Sequence, residues 1–317
     1  MNLFNIDENL DNIIKLKKKI FNYLNLGAKI KLNILGFKMT FNKTFNYKKA
    51  DKSILKFNTC GINKNIRNPK IIVSLTSFPK RIQNVYYVIY SLMEQTLKPD
   101  KIILYLAEEQ FKNKENNLPQ NLLNFIQYGL EIKWCSRDIK SYKKLIPILN
   151  DYPNDIIITV DDDIFYQKNW LELLYKSYLK NPNCISCHSA HRIKLNSDND
   201  IESYNKWEKR VINYKASYMN FLTGCGGVLY PPHSLYKDVL NEELFMKLAP
   251  TADDIWFWAM AVLNMTKIAI VENGIFYPLP IDNNEKGSLY EVNKYQNDIF
   301  IQNIINYYPE VVKNLNL

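Results

Sequence analysis

Three consecutive aspartates follow an apolar run in the middle of the chain. Asp161, Asp162 and Asp163 come directly after residues 156–160, a run that is typical of a strand buried on both faces. The carboxyl ends of such strands form the crevice where open α/β sheets bind ligands. Side-chain alternation predicts that Asp161 and Asp163 share one side and that Asp162 points away. Two carboxylates on one side, with no Lys or Arg next to them in sequence, suit the binding of Mg²⁺ or Mn²⁺. A solvated turn after the strand is the simpler alternative.

The elements that must position this triplet alternate between strands and helices from residue 69 onward. Apolar runs predict strands at 70–75, 101–106, 130–135 and 156–160. Helical patterns lie between them, among them 82–95 and 142–149. Repeated strand-helix-strand alternation implies a mostly parallel sheet with helices on both faces. We therefore predict an α/β domain in which the aspartates end the fourth strand.

The composition is that of a globular protein with a basic N-terminal end. Of 317 residues, 47% are hydrophobic, and the formal net charge is +9. Residues 1–50 hold ten lysines against three acidic residues, whereas the rest of the chain holds 31 basic and 29 acidic side chains. An enzyme that acts on nucleic acid would spread cationic charge around its cleft. This distribution therefore predicts an anionic membrane surface as a partner, and no nucleic acid.

The N-terminal end has the pattern of a basic amphipathic helix over residues 10–24, which either lies on a membrane or packs on the catalytic domain. We find no run long enough to span a bilayer and no signal-peptide pattern, and the five cysteines form no disulfide framework. We expect a cytoplasmic protein, peripheral on the inner face of the cell membrane. Residues 1–66 are predicted to form the basic segment, and residues 67–317 the catalytic domain.

The order of the motifs resembles that of GT-A-fold glycosyltransferases, which hold a nucleotide-diphosphate sugar through a divalent metal. Residues 160–163 resemble their Asp-X-Asp motif, and residues 72–81 their first strand and nucleotide-binding loop. The run SLMEQTLKPDKIIL at 91–104 is similar to one common in bacterial polysaccharide glycosyltransferases. The resemblance covers residues 69–280. It implies a Rossmann-like GT-A sheet, a UDP- or GDP-linked sugar donor, and a glycan or lipid-linked acceptor in surface-polysaccharide synthesis.

The same resemblance assigns residues to the sugar donor. Asp161 and Asp163 would hold Mn²⁺ or Mg²⁺ on the diphosphate. Arg81, with Lys143 or Lys144, would neutralise the charge that develops on the leaving group, although most lysines are simply surface residues. The other residues expected near the donor or its metal are Thr76, Asp138, Asp162 and His191.

On the acceptor side, residues 223–232 hold three of the nine glycines of the chain within four positions. Glycine permits close approach of the backbone to a ligand, and a bulge is the alternative. The segment resembles the Gly-rich acceptor-side strand of GT-A enzymes, which implies that Gly226 and Gly227 bind substrate.

An acidic pair, Asp253 and Asp254, follows about two dozen residues later. It can be interpreted as the capped start of a helix. Under the resemblance, it matches the pair that supplies the base in inverting GT-A enzymes. Asp254 would take the proton of the acceptor hydroxyl, with Asp253 as the alternative. Trp256 is then a candidate surface for stacking a sugar ring.

Two patterns have other interpretations. The Cys-X-X-Cys-His run at 184–188, with His191 nearby, allows a haem-attachment or zinc site, or a strand whose cysteines are core residues. Residues 282–298 allow a lid over the donor, or lead into a terminal helix at 297–307 that packs on the sheet.

Two rival functions also stay open. Nucleotidyl transfer uses a similar sheet and a carboxylate-bound metal, but it usually needs a glycine in the loop after the first strand, and residues 76–81 contain none. A non-enzymatic lipid-binding module would explain the basic N-terminal end, but it would leave both acidic motifs without a role.

Overall fold

The computed structural model of the chain describes residues 30–34, 37–41, 45–212, 215–272, 279–281 and 289–315. The predicted amphipathic helix and the polar loop at 282–288 lie outside these residues. Within the described part, no helix is both long enough and apolar enough to cross a membrane.

The described strands are β1 (Ile30–Ile34), β2 (Phe37–Phe41), β3 (Ile71–Thr76), β4 (Lys101–Ala107), β5 (Leu130–Cys135), β6 (Ile156–Thr159), β7 (Ile164–Phe165), β8 (Ile185–Cys187), β9 (Ala190–Arg192), β10 (Asn220–Leu222), β11 (Val228–Tyr230), β12 (Ile268–Ile270) and β13 (Leu279–Pro280). Seven of them form one sheet in the order β12-β8-β11-β6-β3-β4-β5. β11 is antiparallel to both of its neighbours, and every other pair in this sheet is parallel. The predicted mostly parallel sheet is confirmed.

The described α-helices are α1 (Tyr47–Ile54), α2 (Val85–Met93), α3 (Gln120–Leu123), α4 (Ile146–Asp151), α5 (Trp170–Lys180), α6 (Glu242–Leu248), α7 (Asp253–Leu263), α8 (Leu289–Tyr307) and α9 (Glu310–Leu315). Short 3-10 turns at Lys140–Lys144 and Gly224–Gly226 matter for the site. The helix predicted at 297–307 forms the second part of α8, and α8 begins within the segment that we weighed as a lid.

Helices cover both faces of the sheet, as the unbroken apolar runs predict for parallel strands. Ile157 on β6 packs in a core that includes α7, whereas its neighbour Ile158 packs on the opposite face in a core that includes α2. Both side chains are fully buried. Phe57, which follows α1, packs in the second core with its ring 5.6 Å from that of Tyr90 on α2. The residues around α1 therefore belong to the same packed unit as the sheet.

The strand order reverses between β3 and β6. From β3 the chain crosses to β4 on one side, and β6 pairs with the other side of β3. At such a switch point the loops that follow the two strands diverge and leave a crevice for a ligand. Here these loops are residues 77–84 and 160–163. The predicted nucleotide loop and the aspartate triplet therefore meet at the same crevice.

Candidate active site

The aspartate triplet lies in a turn and not on a strand. β6 ends at Thr159, so the alternation of side chains does not extend to the aspartates. The Nη1 atom of Arg81 lies 2.8 Å from Oδ1 of Asp162 and 2.9 Å from Oδ2 of Asp163. The prediction that alternation would point Asp162 away from Asp163 was wrong, because the chain turns before it reaches them.

Arg81 ties the loop after β3 to the triplet. From the same loop, the Ser77 hydroxyl donates a hydrogen bond of 2.5 Å to Oδ2 of Asp162, which is buried. Burial, and then the neighbouring charge of Asp161, raise the pKa of Asp163 to about 7. Burial opposes the charge on Arg81, but the carboxylates prevail and its pKa is raised. The guanidinium therefore stays charged between the two sides of the crevice.

Lys144 joins the triplet to the second acidic motif. Its Nζ atom lies 2.9 Å from Oδ1 of Asp161 and 3.0 Å from Oδ2 of Asp253. Burial alone would lower the pKa of Lys144, but Asp161, Asp253 and Asp254 raise it well above its ordinary value. The two motifs, some ninety residues apart in sequence, thus share one buried ammonium group.

Gly224 lies between these groups. Its backbone N–H donates a hydrogen bond of 2.9 Å to Oδ2 of Asp254. A Cβ atom at this position would lie 2.9 Å from Nζ of Lys144, 3.0 Å from Oδ1 of Asp254 and 3.4 Å from Oδ1 of Asp161. The backbone therefore approaches the charged groups more closely than any residue with a side chain allows.

The two members of the acidic pair differ in surroundings. Both lie in the first turn of α7, where the helix dipole favours negative charge. Asp253 is buried with its carboxylate against Lys144, whereas Asp254 is half-buried beside Gly224. Burial, and then the charge of Asp253, raise the pKa of Asp254 to about 7. A carboxylate with this pKa can both accept and hold a proton near neutral pH.

We call the following groups the carboxylate cluster: Asp161, Asp162, Asp163, Asp253 and Asp254, with the cations Lys144 and Arg81. Five carboxylates against two cations leave an excess of negative charge, and oxygen ligands suit Mg²⁺ or Mn²⁺. Among the residues that the structure describes, no three His, Cys, Asp or Glu side chains are grouped to hold a metal. The donor atoms of the cluster thus fit a hard divalent cation in chemistry and charge, without forming a closed set of protein ligands.

The other residues predicted on the donor side are Lys143 and Asp138, which pair with each other, and Thr76. Lys143 is buried but pairs with Asp138, which also accepts a 2.7 Å hydrogen bond from Nε2 of Gln110, so the contacts of Lys143 lead away from the cluster. Thr76 ends β3 at the crevice, where its hydroxyl donates to the Tyr105 carbonyl at 2.8 Å. Of the two candidate lysines, Lys144 is the one with contacts in the cluster.

His191 lies on β9, and its described contacts are with residues outside the cluster. Its Nδ1 accepts a 3.1 Å hydrogen bond from the backbone N–H of Arg210, and its ring packs near Tyr204 and Phe221. Burial lowers its pKa to about 4, so the ring is neutral at physiological pH. The structure therefore does not bring His191 directly to the carboxylates.

The cysteine and histidine run at 184–188 supports the interpretation as a core strand. Cys187 is buried on β8, and Nε2 of His188 donates to the Trp170 carbonyl at 2.9 Å. Within the described ranges, these side chains do not form a group that could hold a metal ion.

Gly226 and Gly227 are explained by packing. Gly227 has φ +81°, and a Cβ there would lie 2.2 Å from Cζ2 of Trp170. A Cβ on Gly226 would lie 2.7 Å from Cβ of Ser189, and the Gly226 carbonyl accepts a 2.7 Å hydrogen bond from Nε1 of Trp170. The glycine whose missing side chain opens space at the cluster is Gly224.

Trp256 has no face available to a sugar, so its prediction as a stacking surface was wrong. The side chain is fully buried, and its Nε1 donates to the Val239 carbonyl at 3.2 Å. Its ring packs near Phe245 and Tyr308 in the core.

Sequence reasoning missed three residues that shape the site: Ser77, Tyr166 and Gly224. The hydroxyl of the buried Tyr166 accepts a 3.0 Å hydrogen bond from the backbone N–H of Asp161 and so fixes the turn. Ser77 lies in the same loop as Arg81, and Gly224 in the same glycine-rich segment as Gly226. Each of the three residues therefore lies in or close to a motif, but the motif does not predict which of its residues contacts the carboxylates.

No family model matches the chain, and no curated protein does. Among solved structures, the chain is similar to the mannosyltransferase PcManGT from Pyrobaculum calidifontis, in complex with GDP-Man and Mn²⁺. The two are 14% identical, the match covers 85% of this chain and 74% of the other, and the TM-score is 0.48. A likeness of this degree leaves the activity of the chain unassigned.

Proposed function

We propose that the chain is a metal-dependent GT-A glycosyltransferase that moves a sugar from a UDP- or GDP-linked donor to a hydroxyl of a glycan or lipid-linked acceptor, with inversion. One observation carries the proposal. The triplet and the acidic pair converge on Lys144 and Gly224, beside the crevice where the strand order reverses. A ligand crevice with a carboxylate set on one side and a half-buried carboxylate on the other suits group transfer from a diphosphate.

The donor side of this mechanism rests on the triplet. Asp161 and Asp163 are the residues that would hold Mn²⁺ or Mg²⁺, and the bound metal would neutralise charge on the diphosphate. Arg81 and Lys144 are buried or half-buried cations, and both stay charged beside the carboxylates. They would stabilise the negative charge that grows on the nucleoside diphosphate as it leaves.

The acceptor side rests on Asp254. Its carboxylate would take the proton of the acceptor hydroxyl, whose oxygen forms a bond to the anomeric carbon. The bond from that carbon to the diphosphate oxygen breaks, and its electron pair leaves with the nucleoside diphosphate. Asp254 is favoured over Asp253 because Asp253 is buried against Lys144, whereas Asp254 is half-buried beside the space at Gly224.

We further propose that the enzyme works at an anionic membrane surface in the synthesis of a bacterial surface polysaccharide or glycolipid. The excess of lysine in residues 1–50 supports the membrane surface, and the similarity of residues 91–104 to a run common in bacterial polysaccharide glycosyltransferases supports the kind of product. Residues 67–317 would form the catalytic unit, on which the region of α1 packs.

Thermal unfolding with UDP or GDP, each with and without Mn²⁺, tests the proposal. We expect one nucleotide to raise the unfolding temperature only when the metal is present, because the diphosphate and the metal bind together. Asp163→Asn should abolish this shift, and the matched surface variant Asp198→Asn should keep it. A wild-type protein that no nucleotide stabilises in the presence of metal would count against the function.

A further inference from the structure

Arg210 has a backbone conformation that is costly for an arginine. Its φ is +52°, in the left-handed region that favours glycine. The conformation is held from both sides of the residue: the N–H of Arg210 donates to Nδ1 of His191, and the next N–H, that of Val211, donates 2.9 Å to the Ala190 carbonyl. Residues kept in such a conformation concentrate at ligand sites, where the side chain is needed.

The Arg210 side chain is a cation without a carboxylate partner. It is exposed, and within the described part of the chain its guanidinium makes no hydrogen bond or ion pair, in contrast to Arg81. Because no carboxylate in this part of the chain occupies it, the guanidinium remains available to a ligand.

Arg210 lies on the Gly224 side of the carboxylate cluster. The next residue, Val211, donates to the Ala190 carbonyl, and Ala190 pairs with Leu222 on β10, two residues before Gly224. Burial and Asp161 raise the pKa of the Cys225 thiol, and the positive charge of Arg210 opposes them. Cys225 directly follows the glycine that contacts Asp254. Arg210 therefore lies on the connection between β9 and β10 that leads into the Gly224 segment, and not on the loop after β3.

We propose that Arg210 binds a phosphate group of the substrate, and that His191 positions it by holding its backbone. This inference rests on the proposed function, which supplies phosphate from two sources: the donor diphosphate or a phosphate on a lipid-linked acceptor. A guanidinium presents N–H groups in a planar fork that matches phosphate oxygens. The role also gives a task to His191, whose described contacts are with residues outside the carboxylate cluster.

The test compares Arg210→Gly with the wild type. Glycine suits a φ of +52°, so this variant should keep the unfolding temperature or raise it, while the cation is lost. Titration calorimetry would measure the affinity of both proteins for inorganic pyrophosphate alone, for UDP or GDP with Mn²⁺, and for pyrophosphate added to protein saturated with nucleotide. Lys194→Gln is the matched control, because it removes an exposed positive charge from the same connection between β9 and β10.

We expect Arg210→Gly to weaken anion binding about tenfold, and Lys194→Gln to leave it unchanged. Weaker affinity of the variant for the nucleoside diphosphate would assign Arg210 to the donor. Weaker affinity only for the pyrophosphate that is added to protein saturated with nucleotide would assign it to the acceptor. Arg210→Lys should recover part of the affinity, since it keeps the charge without the fork.

Unchanged affinity in every titration of Arg210→Gly would overturn the inference, as would an equal loss in Lys194→Gln. The proposed function fails in a different way, namely if the wild type binds no nucleoside diphosphate. In that case, the titration with pyrophosphate alone still reports on Arg210.

Discussion

Lys144 and Gly224 are the residues through which distant parts of the chain act on one another. Lys144 accounts for the proximity of Asp161 and Asp253, because its buried ammonium group would be costly without carboxylate partners. Gly224 lets the backbone reach Asp254 without filling the space beside it. At this scale, the site consists of charges that stabilise one another and a gap that a substrate group can enter.

Asp254→Asn should keep nucleotide binding and lose turnover. The amide preserves the volume and can still accept the Gly224 N–H, but it cannot take a proton from the acceptor. We expect the transfer rate to fall by about 10² to 10⁴, measured with nucleotide sugar and acceptor under saturating conditions. An Asp254→Asn enzyme with wild-type turnover would exclude this residue as the base, and Asp198→Asn serves as the surface control.

Two glycine variants should separate function from packing. Gly224→Ala places a methyl group 2.9 Å from Nζ of Lys144 and 3.0 Å from Oδ1 of Asp254, so transfer should fall about 100-fold while the fold persists. Gly227→Ala meets the buried ring of Trp170 and a φ of +81°, so it should cost about 3 kcal/mol of stability. Chemical denaturation and transfer assays on both variants check this contrast. If Gly224→Ala destabilised the protein as much as Gly227→Ala, Gly224 would be a packing residue too.

The connection from β8 to β9 joins the sheet to the small β9–β10 pair, with the buried His188 on the connection and the half-buried His191 on β9. His188 donates to the carbonyl of Trp170 at the start of α5, and His191 holds Arg210. Both rings are neutral because burial lowers their pKa values to about 4. Protonation of either ring therefore destabilises this part of the fold, because burial disfavours the charged form.

The contribution of these two histidines to the stability of the protein should fall between about pH 6.5 and pH 4, whereas the raised pKa values of Asp163 and Asp254 act in the opposite direction. An unfolded histidine has a pKa of ~6.5, so in this window each of these two side chains binds more protons in the unfolded chain than in the folded chain. The contribution is complete above pH ~6.5 and is lost as the pH drops. For His188 alone we expect about 2 kcal/mol between pH 7.5 and pH 5. Denaturant unfolding of the wild type and of His188→Gln at several pH values measures the difference in stability between them, which should change by this amount across the window. A difference that does not vary with pH would contradict the assignment.

The sequence was sufficient for the elements whose pattern is local. The strands β3 to β6 are apolar runs that any parallel sheet would bury, and they lie where the runs predict. The end of β6 could not be predicted, since Val160 is as apolar as the strand and only the turn held by Tyr166 decides where the chain leaves the sheet. The prediction of Trp256 as a stacking surface was wrong for another reason. Helix α7 is buried on nearly all sides, so it has no open face for a ligand at Trp256.

The whole molecule joins the proposed donor side, built by residues 71–163, to the proposed acceptor side, which comes from the last third of the chain. The sheet makes this possible because β11 inserts between β6 and β8 and brings Gly224 to the end of β6. The basic N-terminal segment adds a charge of one sign at one end of the chain. Its residues 10–24 lie outside the described part, so its role stays a prediction.

Replacing Lys15, Lys17, Lys18 and Lys19 together by glutamine should weaken binding to vesicles that contain anionic lipid. Each lysine near such a surface contributes about 1 kcal/mol, so affinity should fall at least about tenfold. Cosedimentation with vesicles of phosphatidylcholine, with and without phosphatidylglycerol, measures the effect. Nucleotide binding should not change.

The matched control replaces four exposed lysines elsewhere in the chain: Lys176, Lys194, Lys206 and Lys313. Equal losses in both variants would mean that general basicity, and not the N-terminal segment, attracts the membrane.

The position of β11 in the sheet also has a consequence for biosynthesis. Within the described sheet, β8 is joined to the strands β3 to β6 only through β11. One edge of β6 therefore stays unpaired until residues 228–230 have been made. On a ribosome, the aspartate triplet is therefore complete well before its partner carboxylate. At usual elongation rates, the roughly ninety residues from Asp163 to Asp254 take about 5 to 20 s. During that interval the nascent chain exposes a bare strand edge, which is the period when it most needs protection from aggregation.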